Sequence, residues 1–263
     1  MTTPIYQVDA FTRAAFAGNP AAVCFPERGA SDAWLGRVAA EMNLSETAFL
    51  WKRDDGAYDL RWLTPEVEVD LCGHATLASA HTIWESGRAA RDEPIRFATR
   101  SGELVARTRG QLIELDFPAT KPAPSQAPDE LLAALGLEQA QAYQTRFDWM
   151  LVAESETQVR RLEPDHRALR AMPVRGVIVT APGEGEHDFV SRFFAPGSGI
   201  DEDPVTGSAH CALGPYWSER LGKPILRAYQ ASARGGELEV EPRGDRVLLR
   251  GRAVTVLRGE LLA

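Results

Sequence analysis

Arg61-Trp-Leu-Thr-Pro65 followed by Cys72-Gly-His-Ala75 returns later in the chain as Arg192-Phe-Phe-Ala-Pro196 followed by Thr206-Gly-Ser-Ala209. Each leads into a small-residue apolar run that ends in tryptophan, Trp84 in the first and Trp217 in the second. Gly102-Glu-Leu104 then answers to Gly236-Glu-Leu238. The separations run from 131 residues (Arg61 to Arg192) to 134 (Cys72 to Thr206, Gly102 to Gly236). Landmarks in one order at nearly one spacing mark a duplicated unit, with a period of about half the chain rather than that of a solenoid. The expected arrangement is two related domains facing each other, with the working site in the cleft between them.

Bulk composition agrees. A chain of 263 residues is comfortable as two domains, and 44% hydrophobic with 25% charged residues is ordinary globular usage. The net charge of −8 argues against a nucleic-acid backbone as partner, which needs clustered Lys and Arg, and fits an enzyme of small molecules. Cys24, Cys72 and Cys211 are odd in number and far apart, the pattern of a reduced, cytoplasmic protein. The opening Met-Thr-Thr-Pro-Ile has neither the basic segment nor the apolar core of a signal peptide, so none is expected. No apolar run approaches the roughly 20 residues that span a bilayer.

Along the chain, strands are expected at 5–8 and 21–25 around the Gly18-Asn-Pro20 turn, then a helix capped by Ser31 with Trp34, Leu35, Val38, Ala39 and Met42 at helical spacing. Further strands follow at 47–51 and 58–63, then a buried helix from Gly73 to 85–86 stopped by Gly87. Strands at 95–99, 102–107 and 112–117 complete a first domain, residues 1–117. Pro118-Ala-Thr-Lys-Pro-Ala-Pro-Ser-Gln-Ala-Pro128 is expected to be a stiff linker, because its four prolines cannot sit in a sheet interior. A second domain, 129–251, replays the order, with a buried helix from Gly207 to about 219 stopped by Gly222. The fold class is α+β, each half a strand-rich unit around one central helix.

The candidate chemistry gathers where the two repeats begin their central helices. Each helix opens at a glycine, Gly73 or Gly207, with unsatisfied N–H groups and a positive dipole end suited to a carboxylate. Glu46 lies between an amphipathic helix and an apolar strand, where partial desolvation suits a proton-transfer base; a capping or Arg-paired glutamate is the structural alternative. His74 and Ser208 hold matching places after the two glycines, and Asp203 precedes a proline just upstream of the second helix. Each of these has a purely structural reading as a cap, entry residue or satisfied imidazole. Zinc is not expected: C-x-H and H-C are not zinc spacings, and His210 and Cys211 are adjacent on a helix, about 100° apart. Neither a dinucleotide loop nor a Walker sequence is present, so no nucleotide cofactor is expected.

Several stretches together resemble the phenazine biosynthesis PhzF-like isomerases. They are Tyr6-Gln-Val-Asp-Ala-Phe11 with Gly18-Asn-Pro-Ala-Ala-Val23, Asn43 to Leu50, Asp70-Leu-Cys-Gly-His-Ala-Thr76, Glu202-Asp-Pro-Val-Thr-Gly-Ser-Ala209 and Gln230-Ala-Ser-Ala-Arg-Gly-Gly236. The resemblance implies a diaminopimelate epimerase-like fold: two pseudo-symmetric domains, each a mixed sheet wrapped around a helix, with the last strand (252–263) returning to the first domain. It also implies cofactor-free proton transfer and a homodimer. Carried over, Glu46 matches the catalytic glutamate, with His74, Asp203 and Ser208 beside it as catalytic or substrate-facing groups. Asn19, Ser45, Gly73 and Gly207 match substrate-binding positions. Related epimerases use two facing cysteines; this chain has Cys72 at one place and Thr206 at the other, which disfavours a symmetric two-thiol mechanism.

The expected function is therefore an isomerase moving a proton within a small carboxylate-bearing substrate. An amino-acid epimerase acting at one stereocentre, and a binding protein on the same scaffold, are the alternatives. The family's named member isomerises a dihydro-hydroxyanthranilate, and no residue here assigns that compound to this chain.

Overall fold

A computed structural model describes residues 2–262, in two compact units: 2–116 with 250–262, and 117–249. In the first unit the last strand, Ala253–Leu261, runs antiparallel to the first, Thr3–Ala10, with Thr3 opposite Leu261. Thr3–Ala10 pairs antiparallel with Asn19–Cys24, which pairs parallel with Glu46–Lys52. The sheet continues antiparallel to Tyr58–Leu63, parallel to Ile95–Thr99 and antiparallel to Gly102–Arg109.

The second unit repeats that alternation. Gln141–Gln144 pairs antiparallel with Asp148–Val152, which pairs parallel with Gly176–Pro182. Antiparallel Phe189–Phe194, parallel Leu226–Gln230 and antiparallel Gly236–Arg243 follow. A parallel pair needs a long crossover, and in both units the second such crossover contains the central helix. That helix is Gly73–Glu85 in one and Gly207–Leu221 in the other. The class is α+β, and the quoted repeats occupy matching elements.

The central helices are apolar around most of their circumference, because sheet lies against several faces. In Gly73–Glu85, ten positions from His74 to Trp84 are buried, including Leu77, Ala80 and Ile83. Polar members in that interior are satisfied locally: Ser79 Oγ donates to Ala75 O at 2.7 Å and Thr82 Oγ1 to Ala78 O at 2.8 Å. The outer helix Asp32–Met42 starts as its sequence suggests, with Ser31 Oγ accepting from Trp34 N at 3.2 Å. Its Leu35, Val38 and Ala39 pack with Ile5, Ala22, Phe49 and Leu63 in one cluster.

Elements that the sequence pattern does not place are short. Ala123–Ser125, within the proline-rich stretch, is a fully exposed strand antiparallel to Gln141–Gln144. Proline is tolerated there because an exposed strand of this length needs few ladder donors. Two five-residue helices, Glu156–Arg160 and His166–Arg170, precede Gly176–Pro182. Among the described residues no helix is long and apolar enough to cross a membrane.

Candidate active site

Two clusters hold the residues singled out in the sequence, one in each unit. In the first, the parallel pairing of Asn19–Cys24 with Glu46–Lys52 sets Ala21 against Glu46. Asn43, in a left-handed conformation (φ 49°), ends the preceding helix, and Ser45 lies half-buried in the bend before Glu46. His74 is the second residue of the central helix. Glu46 Oε2 approaches His74 Nε2 to 3.2 Å, with side chains 12% and 5% exposed. On the other side of the ring, Asn19 Nδ2 lies 3.2 Å from Nδ1 and Cys72 Sγ lies 3.5 Å from it.

Burial controls the ring's charge. It pushes the His74 pKa down to about 3, so the imidazole is neutral at neutral pH. Glu46, Cys72 and His74 also offer metal-ligand atoms within 4.8 Å of one another. An ion there would take one ring nitrogen, Nε2 beside the Glu46 carboxylate or Nδ1 beside the Cys72 thiol.

The second cluster surrounds the start of Gly207–Leu221. Thr206 Oγ1 donates to Asp203 Oδ2 at 2.5 Å. Gln230, fully buried at the end of its strand, ties the turn together: Oε1 accepts from Thr206 N at 2.9 Å, and Nε2 donates to Asp203 O at 2.7 Å and to Thr206 Oγ1 at 3.1 Å. Ser208 is half-buried, and its Oγ accepts from Arg175 Nη2 at 3.3 Å. The same guanidinium holds the buried Asp148 through Nε at 2.8 Å and through Nη2, and lies 5.0 Å from the Phe147 ring. Desolvation raises the Asp148 pKa despite the opposing pull of Arg175.

The clusters correspond at their helix caps. Cys72 caps Gly73–Glu85 and Thr206 caps Gly207–Leu221, both with extended backbone and neither with a side-chain capping bond. The two side chains are turned to other partners, His74 and Asp203. The first-turn N–H groups that follow Gly73 and Gly207 receive no side-chain cap from these residues.

Comparison with known proteins identifies the family. The family description of phenazine biosynthesis-like proteins, PhzC-PhzF, matches residues 8–259. The chain belongs to the PhzC-PhzF family. An uncharacterized isomerase of Halalkalibacterium halodurans is 54% identical over 264 residues, covering 100% of this chain and 99% of that protein. The mouse phenazine biosynthesis-like domain-containing protein 2 is 45% identical over 289 residues, with full coverage of both. A PhzF family crystal structure from Enterococcus faecalis superposes with a TM-score of 0.95 at 44% identity and full coverage. A hydroxyproline epimerase from Agrobacterium vitis, 12% identical, shares the fold with a TM-score of 0.69 over 99% of this chain and 91% of its own.

Membership in this family and its named isomerases makes the chain an isomerase, which removes the binding-only reading. Some members of the clusters lack a sequence signal. Gln230 lies in a quoted family stretch, but its role appears only when its strand returns beside the helix cap. Arg175 stands outside every such stretch and reaches Ser208 only through folding.

Proposed function

We propose that this isomerase moves a proton within a small carboxylate-bearing substrate, with Glu46 as the acid/base group. The observation that carries the reading is the shielded contact between Glu46 and a neutral His74. In the proposed cycle, the Glu46 carboxylate takes a proton from a substrate carbon, leaving a delocalised anion. The resulting carboxylic acid returns a proton to another carbon, so substrate and product have the same composition.

His74, Asp203 and Ser208 are assigned to the substrate's surroundings, as the family motifs suggest, with Asn19 and Ser45 next to the reacting groups. Gly73 and Gly207 head helices whose N–H groups and dipoles favour a carboxylate. The thiol–hydroxyl pair of caps, Cys72 and Thr206, supports a one-carboxylate shuttle over symmetric two-thiol epimerisation. The working form is proposed to need no cofactor and to be a homodimer, whose mass light scattering of the purified protein reads directly.

Incubation with a panel of small unsaturated carboxylates in D2O tests the reading. Deuterium should enter at the carbon that gains the proton, and the double bond should move. Label confined to one inverted stereocentre, with no bond shift, would replace isomerisation by epimerisation. No label and no conversion across the panel would remove the substrate class.

A further inference from the structure

We infer that Asn19 is a positioning residue that locks His74 in its Nε2–H tautomer, so that the ring presents a proton rather than a lone pair to Glu46. Its functional meaning rests on the reading of Glu46 as the acid/base group. The tautomer itself does not.

The argument is one of donor and acceptor types. A neutral imidazole carries one N–H and one bare nitrogen. Nδ1 meets the Asn19 amide nitrogen at 3.2 Å and the Cys72 thiol at 3.5 Å, both able to donate. The amide nitrogen has no lone pair to offer, so Nδ1 must be the bare nitrogen. The remaining proton is then on Nε2, the ring nitrogen that lies 3.2 Å from the Glu46 carboxylate, a close contact outside hydrogen-bond geometry. The donors at Nδ1 are what select the tautomer.

Asn19 is built for an interior task. It has no exposed surface, and it follows Gly18, which turns the chain at φ +66°. Burial alone does not choose this tautomer. His210 is equally enclosed, yet its Nδ1 donates to Thr206 O at 2.8 Å, which puts the proton on the other nitrogen. The difference is the amide. A parallel connection occurs in the second unit, where Gln230 Nε2 donates to the Thr206 hydroxyl and that hydroxyl donates to Asp203. In both, a buried carboxamide sets the polarity of an intermediate group that faces a carboxylate.

The lock has a chemical consequence. With Nδ1 occupied by a donor and Nε2 already protonated, the ring cannot relieve Glu46 of a proton it has taken. That proton leaves Glu46 only to the substrate or by exchange with solvent, not to His74. His74 therefore orients and polarises, and does not relay.

Ring-nitrogen NMR of the full chain labelled with 15N-histidine decides the matter, with His74→Gln used to assign the signals. In the parent, from about pH 6 to pH 8, His74 should show a protonated Nε2 and a bare Nδ1. Asn19→Asp replaces the donor by an acceptor and should move the proton to Nδ1 or protonate both nitrogens. A parent spectrum with Nδ1 protonated, or averaged between tautomers, overturns the inference even if Asn19→Asp does not fold. So does a folded Asn19→Asp protein with an unchanged His74 spectrum. If the tautomer is as stated but Glu46→Gln still transfers protons at the parent rate, the proposed function fails and the lock stands.

Discussion

Thr76 and His210 each stand four residues beyond the cap of a central helix, and each hands a hydrogen back to the cap's carbonyl. Thr76 Oγ1 donates to Cys72 O at 2.5 Å, and His210 Nδ1 donates to Thr206 O at 2.8 Å. At the same caps the Cys72 and Thr206 side chains face His74 and Asp203. The two clusters are thus built by one device, with different residue types filling it.

Glu46→Gln keeps the size of the side chain and removes its ability to accept a proton. Turnover and solvent-proton exchange should fall by about 10²–10⁴-fold, the usual contribution of a general base, with substrate binding retained. Calorimetric binding alongside single-turnover kinetics checks this. A folded variant that binds and exchanges at near the parent rate would leave Asp203 as the next base to test.

Ser208→Ala should act differently. It removes one neutral acceptor from Arg175, whose guanidinium keeps its two contacts to Asp148. In the proposed function Ser208 also gives the substrate one neutral hydrogen bond, whose loss costs about 0.5–1.5 kcal/mol, so KM should rise roughly three- to tenfold with little change in kcat. A collapse of kcat at constant KM would make Ser208 part of the chemical step. Asp203→Asn leaves the Thr206 hydroxyl an acceptor oxygen but takes away its charge, and should lie between Ser208→Ala and Glu46→Gln.

The duplication was legible because its landmarks are backbone necessities: an extended cap, a glycine opening each helix, and apolar helices ending at Trp84 and Trp217. His74 could be singled out because it follows the glycine of such a landmark, and Glu46 because it lies between an amphipathic helix and an apolar strand. The short helices Glu156–Arg160 and His166–Arg170 escaped because five residues do not complete two turns of apolar period. Prolines argue against a sheet interior over 118–128, but they do not forbid an exposed strand such as Ala123–Ser125. Arg175 was invisible because its meaning comes from pairing: the parallel register sets Asp148 against Gly176, and Ser208 is brought in from 33 positions away.

Acid should weaken the fold through its buried histidines. Burial lowers the folded-state pKa of His74 to about 3 and of His210 to about 4, from 6.5. Between those values the unfolded chain binds protons that the folded chain refuses, so stability falls as pH falls. The contribution is complete above pH 6.5 and is lost progressively down to about pH 3–4, at up to about 1.4 kcal/mol per pH unit for each histidine. Urea midpoints measured from pH 7.5 downward should drop, and His210→Asn should flatten the slope even if it lowers the stability at every pH. An unchanged slope would mean that His210 accepts its proton inside the fold.

Gly18→Ala tests whether the turn before Asn19 is a requirement of the site. Gly18 has φ +66°, and a Cβ there would lie 2.2 Å from Ala10 O and 2.9 Å from Thr12 Cγ2. The left-handed conformation alone costs a residue with a side chain about 1–2 kcal/mol, and the carbonyl is backbone, so it cannot swing aside. The chain must shift, and the next residue is Asn19, whose amide sits on His74. Denaturation should therefore show a loss above that conformational cost, while the His74 ring spectrum departs from the parent's. Gly87→Ala is the control. It has φ +70° but nothing within 4 Å of its Cβ, so it should lose the conformational cost alone and keep the parent's His74 spectrum. If Gly18→Ala matched that control in both measurements, the close approach at Ala10 would not be what holds Asn19 in place.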